Sequence, residues 1–315
     1  MSSVSTSTPS SLPGMSRLVT VNGAAPKQSG REYCFELEAG GILFFPHTPF
    51  EFPDDEIQFL LTRKQAGGAF HKNIAYRPAV DRITGADDSG PEAQRLCEIM
   101  RNYSRRSAKF LSAFLGPYGK RWKLDFASYR PLEERGRSAR VRARNDLPHV
   151  DAFPTRPTNG DRILRFFTNI NPSQNRVWIT SQTFDVQAPR FVQQVGLPGS
   201  EGSDPLSRAF RAVAKALHVP GADRSPYDEF MHRCHNAMKE DQEFQRACPK
   251  QRWEFPPNSN WMVYTDFVSH AVLEGQYALE QTFIVSRDAM VRPELSPVTI
   301  LEGIAGYPLT RSHGA

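Results

Sequence analysis

Two rhythms of apolar and polar positions run along the chain. Residues 91–115, PEAQRLCEIMRNYSRRSAKFLSAFL, place Leu96, Ile99, Met100, Tyr103, Phe110, Leu111 and Phe114 at helical intervals, and Gly116-Pro117 ends the run. A second helix is expected over 203–218, with Ser203 as cap, Pro205 in the first turn and Gly221 beyond the end. Its Leu206, Phe210, Val213 and Leu217 lie opposite Arg208, Arg211 and Lys215. Residues 226–246 predict a third helix. A period of two marks 121–130 (RWKLDFASYR), 161–170 and 176–180 (RVWIT) as strands. Two more strand segments follow late in the chain, NWMVYTDFVSHAV and QYALEQTFIVS, expected to form a hairpin across Glu274-Gly275. Residues 31–46, REYCFELEAGGILFFP, predict a hairpin turning at Gly40-Gly41. Strands thus come from both ends of the chain, with helices before and among them. That pattern is α+β, or a β-sandwich with helical additions.

Composition narrows the class. The chain has 315 residues, 39% of them apolar and 21 of them Phe, enough for one sizeable, sheet-rich core. Mean hydropathy is −0.50 and no apolar run reaches 18 residues, so no membrane-spanning helix is expected. The Ser/Thr/Pro-rich start, MSSVSTSTPSSLPG, lacks the basic and apolar regions of a secretion signal. Residues 1–15 are therefore expected to be a disordered tail and 16–315 a single domain. Cys34, Cys97, Cys234 and Cys248 are widely spaced, which predicts free thiols in a reducing, cytoplasmic setting. A net charge of +5 favours anionic partners without choosing among them.

The candidate chemistry begins at His149-Val150-Asp151. Side chains at i and i+2 of an extended segment share a face, so both can reach one point. His270, late in a strongly β segment, is the best candidate for a third ligand. Two imidazoles and one carboxylate leave positions open on Fe(II) for a bidentate 2-oxo acid and dioxygen. The bare pattern is short, and the chain has 8 His. The plain alternative is a satisfied strand-end histidine at His149, an Asx turn at Asp151 before Pro154, and a hairpin residue at His270. Context adds weight, because Arg162 and Arg165 stand on the next strand. They differ by three, so only one can point inward. Asn169 shares parity with Arg165. An inward Arg165 needs an anion, either a bound carboxylate or a protein carboxylate such as Glu280. MHRCH, residues 231–235, with Cys248 nearby, hints at zinc, but the spacing matches no standard site.

Four segments, GGILFFPHTPFEF, DFASYRPLEERGR, HVDAFPTRPTNGDRILRFFTNINP and NWMVYTDFVSHAVLEGQYALEQTFIV, resemble the Kdo hydroxylase family from about residue 35 to 290. That family belongs to the Fe(II)/2-oxoglutarate dioxygenases, built on a double-stranded β-helix, the cupin-like jelly roll. The resemblance implies His149, Asp151 and His270 as catalytic metal ligands. It implies 2-oxoglutarate and O₂ as cosubstrates, and hydroxylation at carbon 3 of 3-deoxy-D-manno-oct-2-ulosonic acid (Kdo) in Kdo-lipid A of lipopolysaccharide. Many members of the wider superfamily carry an Arg about ten residues after the distal His. Here Glu280 and Gln281 occupy that neighbourhood. Arg165 is therefore assigned the far carboxylate of 2-oxoglutarate, assisted by Asn169 or Gln281.

Arg140, Arg142 and Arg144 precede the metal motif and share one face if their segment is extended. With Arg156 and Arg162 they are candidates for the substrate's carboxylate and phosphates. A solvated edge with scattered ion pairs is the plainer alternative. The expected partner is the anionic glycolipid, reached by a cytoplasmic protein touching the inner-membrane surface peripherally. Two rival readings remain: a jelly-roll module without catalysis that binds an anionic sugar or lipid, and a basic nucleic-acid-binding protein. The latter is not expected, because the arginine run lacks interleaved aromatics or a helix-turn-helix signature.

Overall fold

The computed structural model describes residues 12–22, 29–65, 73–87, 89–199 and 224–311. The helix expected over 203–218 and all but the last four residues of the expected tail lie outside that set. The described strands are β1 (Leu18–Thr20), β2 (Ile42–Phe45), β3 (Ile74–Arg77), β4 (Arg82–Thr84), β5 (Trp122–Arg130), β6 (Arg162–Asn169), β7 (Arg176–Thr183), β8 (Gln251–Phe255), β9 (Asn260–Tyr264), β10 (Val268–Glu274) and β11 (Ala278–Val285). The larger sheet runs β1-β2-β9-β6-β11-β5-β3-β4, and the smaller runs β10-β7-β8. Among the described residues every pairing between these strands is antiparallel except β1 with β2. The result is a mixed α+β protein.

Aromatic residues join the two sheets. Phe167 on β6 packs edge-on against Trp178 on β7 at 4.7 Å and stacks on Trp261 of β9 at 5.2 Å. Trp261 in turn stacks on Phe255 of β8 at 4.0 Å. Such rings bury large apolar areas and set the spacing between sheets. The 25-residue helix Gly90–Phe114 buries Leu96, Ile99, Met100 and Tyr103 of the expected stripe against the outer end of the larger sheet, while Leu111 joins the main core.

Three expectations are corrected. Residues 31–46 form no hairpin: Gly30–Glu38 is a helix. Ser29 caps it by accepting from the Glu32 amide while the Glu32 carboxylate accepts from the Ser29 amide, a reciprocal box that outweighs the β-prone residues. Only Ile42–Phe45 remains extended. Similarly, β10 and β11 flank Gly275 without pairing. β10 joins β7, whereas β11 lies between β5 and β6. Gly275, at φ 115°, carries the chain from one sheet to the other, and a Cβ there would sit 3.0 Å from the Arg176 Cα. The helix expected over 226–246 divides at Asp241, which ends Pro226–Glu240 and caps Gln242–Ala247 by accepting from the Phe244 amide.

Arg162, expected to meet substrate, is sealed inside the fold. It is fully buried, its Nε donates to Asp266 at 2.8 Å, and it stacks on Tyr264 at 4.1 Å. Removing one partner of a buried ion pair strands the other charge, which costs about 3–5 kcal/mol. Asp266→Leu should therefore destabilise the protein by that amount in denaturant titration. The double variant Arg162→Met/Asp266→Leu should recover most of the loss. A single-variant cost below about 1 kcal/mol would contradict this account of the pair.

Candidate functional site

The metal-binding candidates meet because the segment carrying His149 lies along β10. The His149 amide donates to the His270 carbonyl at 3.1 Å, and the His270 amide returns the bond at 2.9 Å. Farther along, the Asp151 amide donates to Thr265 O at 2.8 Å. Each imidazole is then turned by its own backbone. His149 Nδ1 lies 2.7 Å from Leu147 O, and His270 Nδ1 lies 2.9 Å from Val268 O. A carbonyl only accepts, so both rings carry their proton on Nδ1 and present the Nε2 lone pair. Those Nε2 atoms stand 3.7 and 3.9 Å from the Asp151 carboxylate oxygens. One ligand atom from each residue falls within 4.8 Å of the others, and all three residues are buried.

The protonation states suit a divalent ion. Burial, then nearby Lys239, His235 and His270, holds the His149 imidazole well below its usual range, and burial lowers His270 likewise. Burial alone would raise the Asp151 carboxyl, but the Arg165 guanidinium beside it holds it far below the normal carboxylate range. Two neutral nitrogens and one ionised oxygen are the donor set of a divalent transition metal. Asp151 Oδ2 accepts no hydrogen bond among the described residues despite its burial, although Arg165 Nη2 stands 3.2 Å away.

Both sheets contribute to the cavity above this centre, which measures about 780 Å³. In the register of the larger sheet, Glu280 on β11 faces Ser128 and Phe167, while Arg130 faces Ala278 and Arg165 faces Thr282. Arg130 and Arg165 are thus diagonal neighbours of Glu280 on one face. Arg130 donates to Glu280 Oε2 from Nη2 at 2.9 Å, and Arg165 donates from Nη1 to Oε1 at 3.3 Å. From the smaller sheet come Arg176 and Trp178 on β7 and His270 and Val272 on β10, all of matching parity. Arg176 donates to Gly275 O at 2.9 Å and faces Glu134 at 3.5 Å. Burial pushes its guanidinium down to about 10 against the pull of Glu134. Three guanidiniums therefore face three carboxylates, Glu134, Glu280 and Asp151. Arg165 Nε and Trp178 Nε1 are buried without a hydrogen-bond partner among the described residues, and both residues line the cavity. Orphaned buried donors are costly unless a ligand's acceptors meet them.

The other expected residues divide. Arg140, Arg142 and Arg156 line the cavity, with Arg142 paired to Glu240 at 2.6 Å. Arg144 does not line it; its guanidinium is paired to Asp146 at 2.5 Å. A 3-10 turn at Val141–Ala143 breaks the alternation that would have aligned Arg144 with the others. Asn169 shares the face of Arg165 and Phe167 but lies past the cavity's edge, where its amide donates to Gln174 O and Phe255 O at 2.9 and 3.0 Å. Gln281 is one residue from Glu280 and so points to the opposite face, donating to Asp125 O at 2.9 Å. Neither is among the cavity's lining residues.

Four contributors were missed or misjudged. Arg176 and Trp178 stood in plain view as alternate residues of RVWIT. His232 and His235, read as incidental, face the cavity with Asn236 and Lys239, while Phe230, Met231, Cys234 and Met238 bury the other side of the helix Pro226–Glu240. The His235 ring packs edge-on to His149 at 4.8 Å, and its Nδ1 lies 2.7 Å from Val150 O. That i, i+3, i+4, i+7 polar stripe was the available signal. Cys234 and Cys248 are buried free thiols.

The family model for 3-deoxy-D-manno-oct-2-ulosonic acid (Kdo) hydroxylase matches residues 21–308. A crystal structure of the Kdo hydroxylase KdoO, a non-heme Fe(II) α-ketoglutarate-dependent dioxygenase, in complex with cobalt(II) is 32% identical, at a TM-score of 0.83 over 95% of this chain and 99% of that one. The same enzyme with α-ketoglutarate and Fe(III) is 30% identical, at a TM-score of 0.81 over 95% of this chain and 100% of that one. No curated protein matches by sequence. The chain belongs to the Kdo hydroxylase family.

Proposed function

We propose that this chain is an Fe(II)- and 2-oxoglutarate-dependent dioxygenase that hydroxylates carbon 3 of Kdo in Kdo-lipid A. Its two facing sheets are read as a double-stranded β-helix. One observation carries the reading: His149, Asp151 and His270 converge at the floor of a cavity whose walls hold Arg130, Arg165 and Arg176. Among the described residues no helix is long and apolar enough to cross a membrane. Work on a lipid-anchored sugar then calls for peripheral contact with the cytoplasmic face of the inner membrane.

The residues divide the labour. His149, Asp151 and His270 would hold Fe(II), and the orphaned donors of Arg165 and Trp178, with Arg130 and Arg176, fit a dianionic 2-oxo acid. Bound together, iron, 2-oxoglutarate and dioxygen supply the oxidant, with succinate and CO₂ as by-products. The chain's share is orientation and dryness. Glu134 and Glu280 neutralise the guanidiniums in advance, so a metal dication and a dianion enter with no net change of charge. Trp178 stacks on the His270 ring at 5.2 Å and fixes its plane, while Phe167 and Val272 keep the walls apolar. Arg140, Arg142 and Arg156 stand among the lining residues, where the sugar acid and the phosphates of lipid A would arrive. Arg144 and Arg162 do not line the cavity and drop out of that role.

Two outcomes are expected. Mass spectrometry of lipopolysaccharide from cells expressing the protein should find one added oxygen on a Kdo unit. His149→Ala and Asp151→Ala should abolish it, and its persistence in both would refute the site. Arg176→Ala should raise the KM for 2-oxoglutarate on the order of 10- to 100-fold while bound iron stays stoichiometric, because a charge-assisted contact is lost without touching a metal ligand. An unchanged KM would remove Arg176 from the cradle.

A further inference from the structure

Four side chains outside the metal centre form an unusual column with Arg165 at its inner end. Arg77 on β3 stands over the Phe126 ring at 5.1 Å, and Arg156 stands over the same ring at 4.0 Å. Arg156 is also 4.0 Å from the centroid of Phe153, and Arg165 is 5.6 Å from that centroid. Guanidinium and phenyl therefore alternate from exposed Arg77 inward to the arginine that touches Asp151. Each step is a cation–π contact, which holds a guanidinium plane without consuming its donors. Arg156 is the only member clamped by two rings at 4.0 Å. Its Nη1 is ion-paired to Asp125, and no other hydrogen bond of its guanidinium is found among the described residues. It lines the cavity while its side chain keeps 32% of its exposure.

The remaining arginines are less suited to recognising a sugar acid. Arg130, Arg165 and Arg176 are locked against Glu280, Asp151 and Glu134, deep in the cavity. Arg142 is held by Glu240 and its side chain is 64% exposed. Arg140 also lines the cavity, but among the described residues no ring stands against its guanidinium to fix its plane. Arg156 alone combines a fixed plane, spare donors and a position one phenyl ring away from Arg165. The substrate's chemistry asks for such a group. In a 3-deoxy-oct-2-ulosonic acid the carboxyl is carbon 1, so it lies two bonds from carbon 3. When carbon 3 is over the metal centre, the carboxylate must lie beside it.

We infer that Arg156, clamped between Phe126 and Phe153, is the residue that binds the Kdo carboxylate and so selects the acid sugar and aims its third carbon. This rests on the proposed Kdo hydroxylation. Asp125 holds one edge of the guanidinium, and the opposite edge is left to pair with the substrate. Pairing fixes orientation as well as affinity, since a planar fork meets a planar carboxylate.

The test compares Kdo-lipid A with the same glycolipid methyl-esterified at its Kdo carboxyl. For the wild-type enzyme, kcat/KM should favour the free acid on the order of 10²-fold, the usual consequence of losing one partner of a desolvated charge pair. In Arg156→Ala that ratio should fall to near one, with an unchanged KM for 2-oxoglutarate. Arg156→Lys should give an intermediate ratio. Arg156→Gln carries the same comparison should truncation unfold the chain, and because the ratio is taken within one variant, partial loss of folded enzyme does not disturb it. A 10²-fold preference surviving in Arg156→Ala or Arg156→Gln would overturn the inference and leave the hydroxylase reading intact. A wild-type enzyme that leaves Kdo-lipid A unmodified would overturn both.

Discussion

A pair of backbone hydrogen bonds, exchanged between His149 and His270 at 3.1 and 2.9 Å, is the constraint on which the site depends. The two residues are far apart in the chain, and only this bridge makes them neighbours. It adds the segment from Asn145 to Asp151 to the edge of the smaller sheet, with the Val272 amide donating to Asn145 O at 2.8 Å to extend the contact. Backbone pairing is rigid and insensitive to side-chain identity, which suits a centre whose donor atoms must be held to a fraction of an ångström. The imidazoles are then locked by carbonyls two residues back in each case, so that orientation and tautomer follow from local backbone alone.

A second constraint is electrostatic. Burying Arg130, Arg165 and Arg176 near one another would be prohibitive without compensation. Glu280 and Glu134 supply it from the same sheet face and from the adjoining loop. Burial would raise Glu280, yet Arg130 and Arg165 hold it below the usual carboxylate range, so the network is ionic. The cavity is thereby preorganised for anions without being strongly cationic. Selection then falls to geometry, to which donors remain unsatisfied and where their planes lie, rather than to net charge. The same principle separates Arg162 from Arg165. Three residues apart on β6, they face opposite ways, and one is spent on the fold while the other serves the site.

Much of this was legible in the sequence because it follows from parity. The i, i+2 spacing of His149 and Asp151, the opposed faces of Arg162 and Arg165, and the strands at 121–130 and 161–170 all follow from the two-residue repeat of extended chain. The stripe of the long helix over 91–115 was equally plain. What escaped depends on contacts between distant segments. Arg176 gains its meaning only when β7 is laid beside β10, and His235 only when its helix lies against the HxD strand. Gln281 was misjudged because the register of β11 assigns the cavity face to Glu280. Asn169 was misjudged because parity says which face a residue takes but not whether the site extends that far along the strand. The helix Gly30–Glu38 was hidden by β-prone residues, although Ser29 and Glu32 carried a capping signal that outweighs them.

The central claim is that three donors from two distant segments bind one ion. Its most direct test is the stoichiometry of anaerobic Fe(II) or Co(II) binding to purified protein and to single alanine variants. The account predicts one ion per chain, lost in His149→Ala, Asp151→Ala and His270→Ala, and retained in His232→Ala and His235→Ala despite their position beside the same cavity. Full metal binding by His270→Ala would contradict it, because the distal strand would then supply no ligand.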